Sequence, residues 1–206
     1  MAVTGAGRGI GREIALAFAD AFLVLAARTE SALLQTRVLA TDRGAHEVLV
    51  APTDVTDQLQ VEQLAAAAVA EFGAVKRVLV CNSGIPGPTA PLWEIEPEQW
   101  RETMRVNVDG STCAAGRRCR RCSSVVRFGD RDRRGARPAD RLRDRGAGAV
   151  ARHHRRRGRA AVHRVLAGRP SDQPQEVAAA AVFLASPAAA GITGEDLNVS
   201  AGVAMY

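Results

Sequence analysis

The sequence predicts an α/β fold, a doubly wound parallel sheet that is incomplete after its fourth helix. Three observations lead there. Near-continuous apolar runs alternate with stretches of helical periodicity over the first 115 residues, as strands buried on both faces by crossover helices require. A glycine-rich turn, Thr4-Gly5-Ala6-Gly7-Arg8-Gly9-Ile10-Gly11, leads from the first strand straight into the first helix. The periodicity then stops at about Arg117 in an arginine-rich stretch and resumes only at about Gly168.

The elements follow in order. "MAVTG" is the stub of a strand, and residues 10–19 carry apolar side chains at helical spacing. "FLVLAA" (22–27) is a buried strand, followed by a helical stretch to about Asp42, and "HEVLVAP" is the third strand. Val61, Leu64, Ala65, Ala68, Val69 and Phe72 then mark one face of a helix, which Asp57, with Gln60 three residues on, can cap. "KRVLVCN" is the fourth strand and "EPEQWRETMRVNV" the fourth helix. Between 117 and 168 no apolar stripe lasts long enough to define an element. A helix is expected from near Gln175, then a short strand over "DLNVS".

The 206 residues suit one domain spanning 1–206, with the atypical segment at 117–168 inside it. A hydrophobic fraction of 47% and a mean hydropathy of −0.08 belong to a soluble globular chain. No apolar run approaches a membrane span and no basic leader is visible, so a cytoplasmic location without membrane association is expected. The four cysteines, Cys81, Cys113, Cys119 and Cys122, are too few and too unevenly spaced for a disulfide framework.

Net charge is +6, which raises the question of nucleic-acid binding. Its distribution answers that question. Arg117 to Arg169 holds 19 Arg against 4 Asp, a charge of +15, and the remainder of the chain carries −9. An acidic domain therefore contains one intensely basic segment. That segment would hold polyanions in a salt-sensitive way. It has no lysine, no aromatic residue besides Phe128 and no periodicity, so designed nucleic-acid binding is not expected. Cys119 and Cys122 have C-x-x-C spacing with His153-His154 beyond, but no second pair completes a zinc site and no helix follows for a redox motif. No metal site is expected.

Glycines between a strand and a helix let the backbone approach a pyrophosphate closely, while the helix N-terminus offers free N–H groups and the positive end of its dipole. Here the pattern is T-G-x-x-x-G-x-G, with Ile10 where the common dinucleotide pattern has its last glycine. Asp54-Val55, Cys81-Asn82-Ser83-Gly84, Asn107 in "RVNVDG" and the C-terminal "GITGEDLNVSAG" follow in order. Together these motifs resemble the short-chain dehydrogenase/reductase family, and within it the 3-ketoacyl reductase-like members, over about 1–115 and 168–206. The resemblance implies a Rossmann-like sheet and NADP(H)- or NAD(H)-dependent alcohol/carbonyl oxidoreduction. Gly5, Arg8, Gly9, Ile10, Gly11, Arg28, Asp54, Val55, Asn82 and Gly84 would line the cofactor, with Asp54-Val55 beside the adenine. Asn107 would be the helix asparagine of the catalytic tetrad.

An acidic residue ending the second strand would hold the ribose of NAD, whereas a basic one accommodates the 2′-phosphate of NADP. That strand ends Ala27-Arg28, and Arg8 adds a second cation. Guanidinium forks suit phosphate, so NADP(H) is expected over NAD(H).

The family's Tyr-x-x-x-Lys pair is absent. The one tyrosine is Tyr206 and the one lysine is Lys76. Ser123-Ser124 resembles the family's serine pair but lies too close behind Asn107. Activity on a small alcohol or carbonyl substrate is therefore expected to be impaired, and the family's homo-oligomer is in doubt. Three alternatives stay open: an enzyme by descent, a non-catalytic NADP- or polyanion-binding protein, or a product of a GC-rich gene read out of frame between 117 and 168.

Overall fold

Side chains alternate across a strand, and register decides which residues share a face. In this computed structural model, which describes residues 1–73, 78–115, 124–127, 173–195, 197 and 199, β1 (Ala2–Thr4) lies at the centre of a parallel sheet. It pairs on one side with β2 (Leu23–Ala27), beyond which lies β3 (Val48–Pro52), and on the other with β4 (Val78–Cys81). Ala2 is in register with both Val24 and Leu79, and Val3 with both Leu25 and Val80.

The two sets build two half-cores. Ala2, Val24, Leu79 and Cys81 cluster with Ala68 of α3 (Gln58–Phe72), and Leu64, Phe72, Ala114 and Ala115 pack against that cluster. Val3, Leu25 and Val80 are fully buried on the other face, where α1 (Gly9–Ala17) buries Ile14 and α2 (Glu30–Asp42) buries Leu33. The apolar runs are continuous because both faces are covered.

The strand succession β3-β2-β1-β4 reverses direction between β1 and β4. This is the Rossmann-like doubly wound arrangement, and its switch point opens a crevice at the carboxyl ends of β1 and β4. The fourth helix is not a plain α-helix. It runs as α4 (Pro97–Met104), a π-helical turn over Arg105–Asp109, and α5 (Gly110–Ala115). Its C-terminal part comes in close: a Cβ on Gly110 would lie 2.7 Å from Val55 Cγ2. A later helix, α6 (Pro174–Ala185), begins where expected and packs on α1.

Three expectations need correction or qualification. A strand, β5 (Ser124–Arg127), stands inside the segment read as devoid of elements, and it pairs with β4 from Val78↔Ser124 to Cys81↔Arg127. Its backbone is satisfied by the edge of β4, and four residues are too few to carry a visible period. Val69 stays 45% exposed although it shares the apolar face of α3; the sheet beneath is reached by Ala68, Leu64 and Phe72. The strand over "DLNVS" and most of 117–168 lie outside the described residues. The described residues fall almost entirely in one unit, Met1–Asp130 with Pro174–Thr193; the second, Arg131–Gln173 with Gly194–Tyr206, holds few of them.

Candidate cofactor site

The turn after β1 is held from the β4 side. The Thr4 hydroxyl accepts from the backbone N–H groups of Asn82 (3.0 Å) and Ser83 (3.1 Å) and donates to Val80 O (3.4 Å). Asn82 Nδ2 donates to Thr4 O at 3.2 Å and to Gly5 O at 3.4 Å. Gly5 has φ +67°, and a Cβ there would sit 2.8 Å from Asn82 Nδ2. At Gly11 a Cβ would overlap Gly5 O and Asn82 Nδ2 outright. Asn82, expected to line the cofactor, thus ties β4 to the turn.

A second brace comes from α2, and the sequence reading missed it. Arg12 donates from Nη2 to Gly7 O and from Nε to Thr36 Oγ1 (3.1 Å), while the fully buried Thr36 hydroxyl lies 2.9 Å from Ala6 O. One local signal existed. Thr36 occupies the buried stripe Leu33, Thr36, Ala40 of α2, and a polar residue in an apolar stripe needs a buried partner.

The outward side of the turn is open. Arg8 is the extended N-cap residue of α1 and makes no side-chain cap bond. The first bond of that helix is Arg12 N–H to Arg8 O (3.4 Å), which leaves the N–H groups of Gly9, Ile10 and Gly11 without an acceptor among the described residues. A Cβ on Gly9 would meet nothing within 4 Å. Arg8 and Arg28 are both exposed. Unsatisfied N–H groups at a helix N-terminus with arginines nearby form an anion site.

At the end of β3, Asp54 is organised in detail. Its Oδ1 accepts from the Thr56 hydroxyl (2.7 Å) and the Thr56 N–H (2.9 Å), and its own N–H donates to Gln60 Oε1 (2.9 Å). Those Thr56 bonds, foremost the hydroxyl's, hold the Asp54 carboxyl below the usual carboxylate range, with Arg28 and Arg105 adding to the effect against partial burial. Val55 is buried against Gly110, so only its backbone is free to meet a ligand.

Asn107 lies in the π-helical turn. Its Oδ1 accepts from Ile85 N–H (2.9 Å) and its Nδ2 donates to Ile85 O (3.0 Å). Both ends of the amide are thereby committed to the loop after β4, and Gly84 beneath leaves room for it: a Cβ there would be 3.3 Å from Asn107 Oδ1. The register of β5 places Ser124 opposite Val78, at the amino end of β4, and Arg127 opposite Cys81 at the carboxyl end. Ser124 is therefore three residues, roughly 10 Å of strand, from the crevice. Lys76, Tyr206, Cys119, Cys122, His153 and His154 lie outside the described residues.

Residues 1–117 match the family model for the short chain dehydrogenases, and residues 144–204 match that of the enoyl-(acyl carrier protein) reductases. The second match begins inside the arginine-rich segment, earlier than the motifs at 168 indicate. Over the whole chain the protein is 33% identical to galactitol 2-dehydrogenase (L-tagatose-forming) of Cereibacter sphaeroides, covering 94% of that relative. Over 55% of the chain it superimposes on two ligand-bound structures. One is an alcohol dehydrogenase from the archaeon Thermococcus sibiricus complexed with 5-hydroxy-NADP (34% identity, TM-score 0.51, 48% of that chain covered). The other is a short-chain dehydrogenase/reductase from Burkholderia phymatum in complex with NAD (39% identity, TM-score 0.51, 40% covered). Several other curated relatives match the first half alone, and the chain spans about two fifths of their length. On its sequence, its sheet order and the braced glycine turn, the chain belongs to the short-chain dehydrogenase family of oxidoreductases.

Proposed function

We propose that the chain binds NADP(H) in preference to NAD(H) and that its alcohol/carbonyl oxidoreduction is impaired. The observation that carries the first part is the uncapped N-terminus of α1, with Gly9 open above it and Arg8 exposed at the N-cap. The pyrophosphate would take the free N–H groups of Gly9, Ile10 and Gly11. Arg28, which follows β2 where an NAD site would carry a carboxylate, would take the 2′-phosphate with Arg8. Asp54 and the Val55 backbone would face the adenine, and Gly84 would leave space along the crevice.

The bound cofactor supplies hydride chemistry; the chain must supply the proton. A family site does this with a tyrosine tuned by a lysine, and no Tyr-x-x-x-Lys stands anywhere in the 206 residues. Asn107 is the one tetrad position present, and its side chain holds Ile85. Loss of general acid/base catalysis alone costs roughly 10²–10⁴-fold. The test is titration of the purified chain with NADPH and NADH, then an NADPH oxidation assay over ketones and ketoses, with L-tagatose first because of the galactitol relative. Tighter NADPH binding with turnover near background is expected. Tighter NADH binding overturns the cofactor assignment, and brisk turnover overturns the impairment. A second reading, a non-catalytic polyanion binder, is favoured by the +15 carried between Arg117 and Arg169; salt-sensitive RNA retention without NADPH binding would support it.

A further inference from the structure

We propose that Arg12 and Thr36 are positioning residues that fix the spacing between Arg8 and Arg28, and that this spacing sets the preference for a 2′-phosphorylated cofactor. The inference rests on the NADP(H) reading above and adds to it what makes the two arginines act as a pair.

Arg8 and Arg28 come from different elements. Arg8 is the N-cap residue of α1, and Arg28 stands between β2 and Thr29, the N-cap residue of α2. Both are exposed, and neither side chain is held by a hydrogen bond among the described residues. Where their backbones stand therefore decides how far apart the two guanidinium groups work.

Helix α2 grips the two peptide planes that lead to Arg8. Arg12 Nη2 donates to Gly7 O, and Arg12 Nε donates to Thr36 Oγ1 at 3.1 Å. A guanidinium only donates and a carbonyl only accepts, so the Thr36 hydrogen goes to a carbonyl. Ala6 O at 2.9 Å is nearer than Ala32 O at 3.1 Å. Each peptide is planar, with its C=O and N–H opposed. Fixing Ala6 O and Gly7 O therefore fixes two successive planes, and the second ends at the Arg8 nitrogen. Gly7 lets the contact close: a Cβ there would lie 3.0 Å from Ala32 Cβ. Arg12 also reaches Gln35 Oε1 (3.3 Å). Ala32, Gln35 and Thr36 thus form one docking face, on the helix that Arg28 leads into.

Thr36 is fully buried, and a buried hydroxyl with its bonds made holds the elements it joins with little play. A 2′-phosphate shared by two arginines gains from both only at the right separation. NADH lacks that phosphate and needs only the turn. Loosening the brace therefore penalises NADPH more than NADH. A role confined to stability would lower the melting temperature and leave the ratio of affinities alone.

The experiment titrates the full 206-residue chain with NADPH and NADH by fluorescence, below the melting transition of each variant. The wild type should prefer NADPH by about tenfold. Thr36→Val changes no charge, and Arg12→Lys keeps the charge but loses the fork. Each should reduce the preference to about threefold, whereas Thr36→Ser, which keeps the hydroxyl, should retain it. In an Arg28→Ala background no pair is left to space, and Thr36→Val should leave the ratio unchanged. If Thr36→Val does not fold, Arg12→Lys carries the comparison in both backgrounds. An unchanged ratio in these variants, whether or not both cofactors weaken, overturns the proposal and leaves the NADP(H) reading standing. So does an equal loss of ratio with and without Arg28. A wild-type chain that does not prefer NADPH, or binds neither cofactor, removes that reading and this inference with it.

Discussion

Helices α1 and α3 both start just beyond the carboxyl end of a strand, and they treat their first turns in opposite ways. At α3 the chain supplies its own acceptor. Asp57 Oδ1 takes the N–H groups of Leu59 (2.9 Å) and Gln60 (3.2 Å), and Gln60 Nε2 reaches back to Asp57 Oδ2. At α1 the corresponding residue is Arg8, also extended, whose side chain caps nothing. Every α-helix has the same orphan donors at its start. A helix that satisfies them internally is closed to anions; one that presents a cation there and keeps its Cβ positions empty is open to them. On the NADP(H) reading proposed above, the contrast singles out the first turn of α1 as the phosphate site.

The largest test of that contrast makes α1 resemble α3. Arg8→Asp would put an N-cap acceptor on an extended residue, the conformation an N-cap requires, and would remove a cation. Stability and binding should then move in opposite directions. The melting temperature should rise by a few degrees, reflecting about 1 kcal/mol of capping. NADPH affinity should fall on the order of 100-fold, through the lost guanidinium and the added carboxylate. A calorimetric melt and a titration on one preparation decide it; a fall in both quantities would mean that Arg8 supports the fold and that α1 is not held open for a ligand.

A smaller effect is expected at the edge of the same open turn. Arg28→Asp exchanges a phosphate partner for a ribose acceptor. NADPH should weaken by roughly tenfold and NADH should gain, so that the order of preference reverses. If both cofactors weaken equally, Arg28 contributes only general positive potential, and the 2′-phosphate is held elsewhere.

Much of this was legible in the sequence because it is local. Apolar runs gave the strands of the first half, since residues buried on both faces need no polar alternation. Asp57 and Gln60 announced a cap by their spacing. The glycines of the turn were readable as a pattern, although their reasons are not local: Gly11 is glycine because Asn82, 71 positions later, occupies the space its Cβ would need. The features missed all join distant elements. Arg12 meets Thr36 across two helices, Arg105 meets Thr56 across α3 and β4, and Asn107 grips a loop 22 residues earlier. Strand β5 was missed because its partner, the edge of β4, does more to define it than its own four residues. Asn82 and Asn107 were recognised as important from family motifs, but which atoms they hold could not be read from the order of residues.

The closed helix offers a control on the open one. Asp57→Ala removes the acceptor of Leu59 and Gln60 and should cost about 1 kcal/mol of stability, with the melting temperature lower by a few degrees. NADPH affinity should stay within twofold, because the first turn of α3 is capped by Asp57 and carries no arginine at its N-cap. A large loss of NADPH binding in Asp57→Ala would blur the distinction between the two helices, by showing that the α3 cap holds Asp54 through Gln60 more firmly than its own Thr56 bonds do.

The smallest effect concerns acid. The Thr56 bonds lower the folded-state pKa of Asp54 below its unfolded value, so the unfolded chain takes up this proton first as pH falls. The stability from those bonds is then fully present above about pH 4, the ordinary aspartate range, and is lost as pH falls through the depressed folded value. Between pH 5 and 8 Asp54 stays ionised in both states and contributes no slope. Asp54 is only partly buried, and solvent screening keeps its contribution small. Asp54→Asn keeps an oxygen for Thr56 but has no proton to gain. Melting curves of both proteins should therefore run parallel from pH 5 to 8 and converge toward pH 3, with the wild type falling faster. A gap that stays constant into acid would show that Thr56 holds the two side chains equally well, and that the charge on Asp54 stabilises nothing in the folded chain.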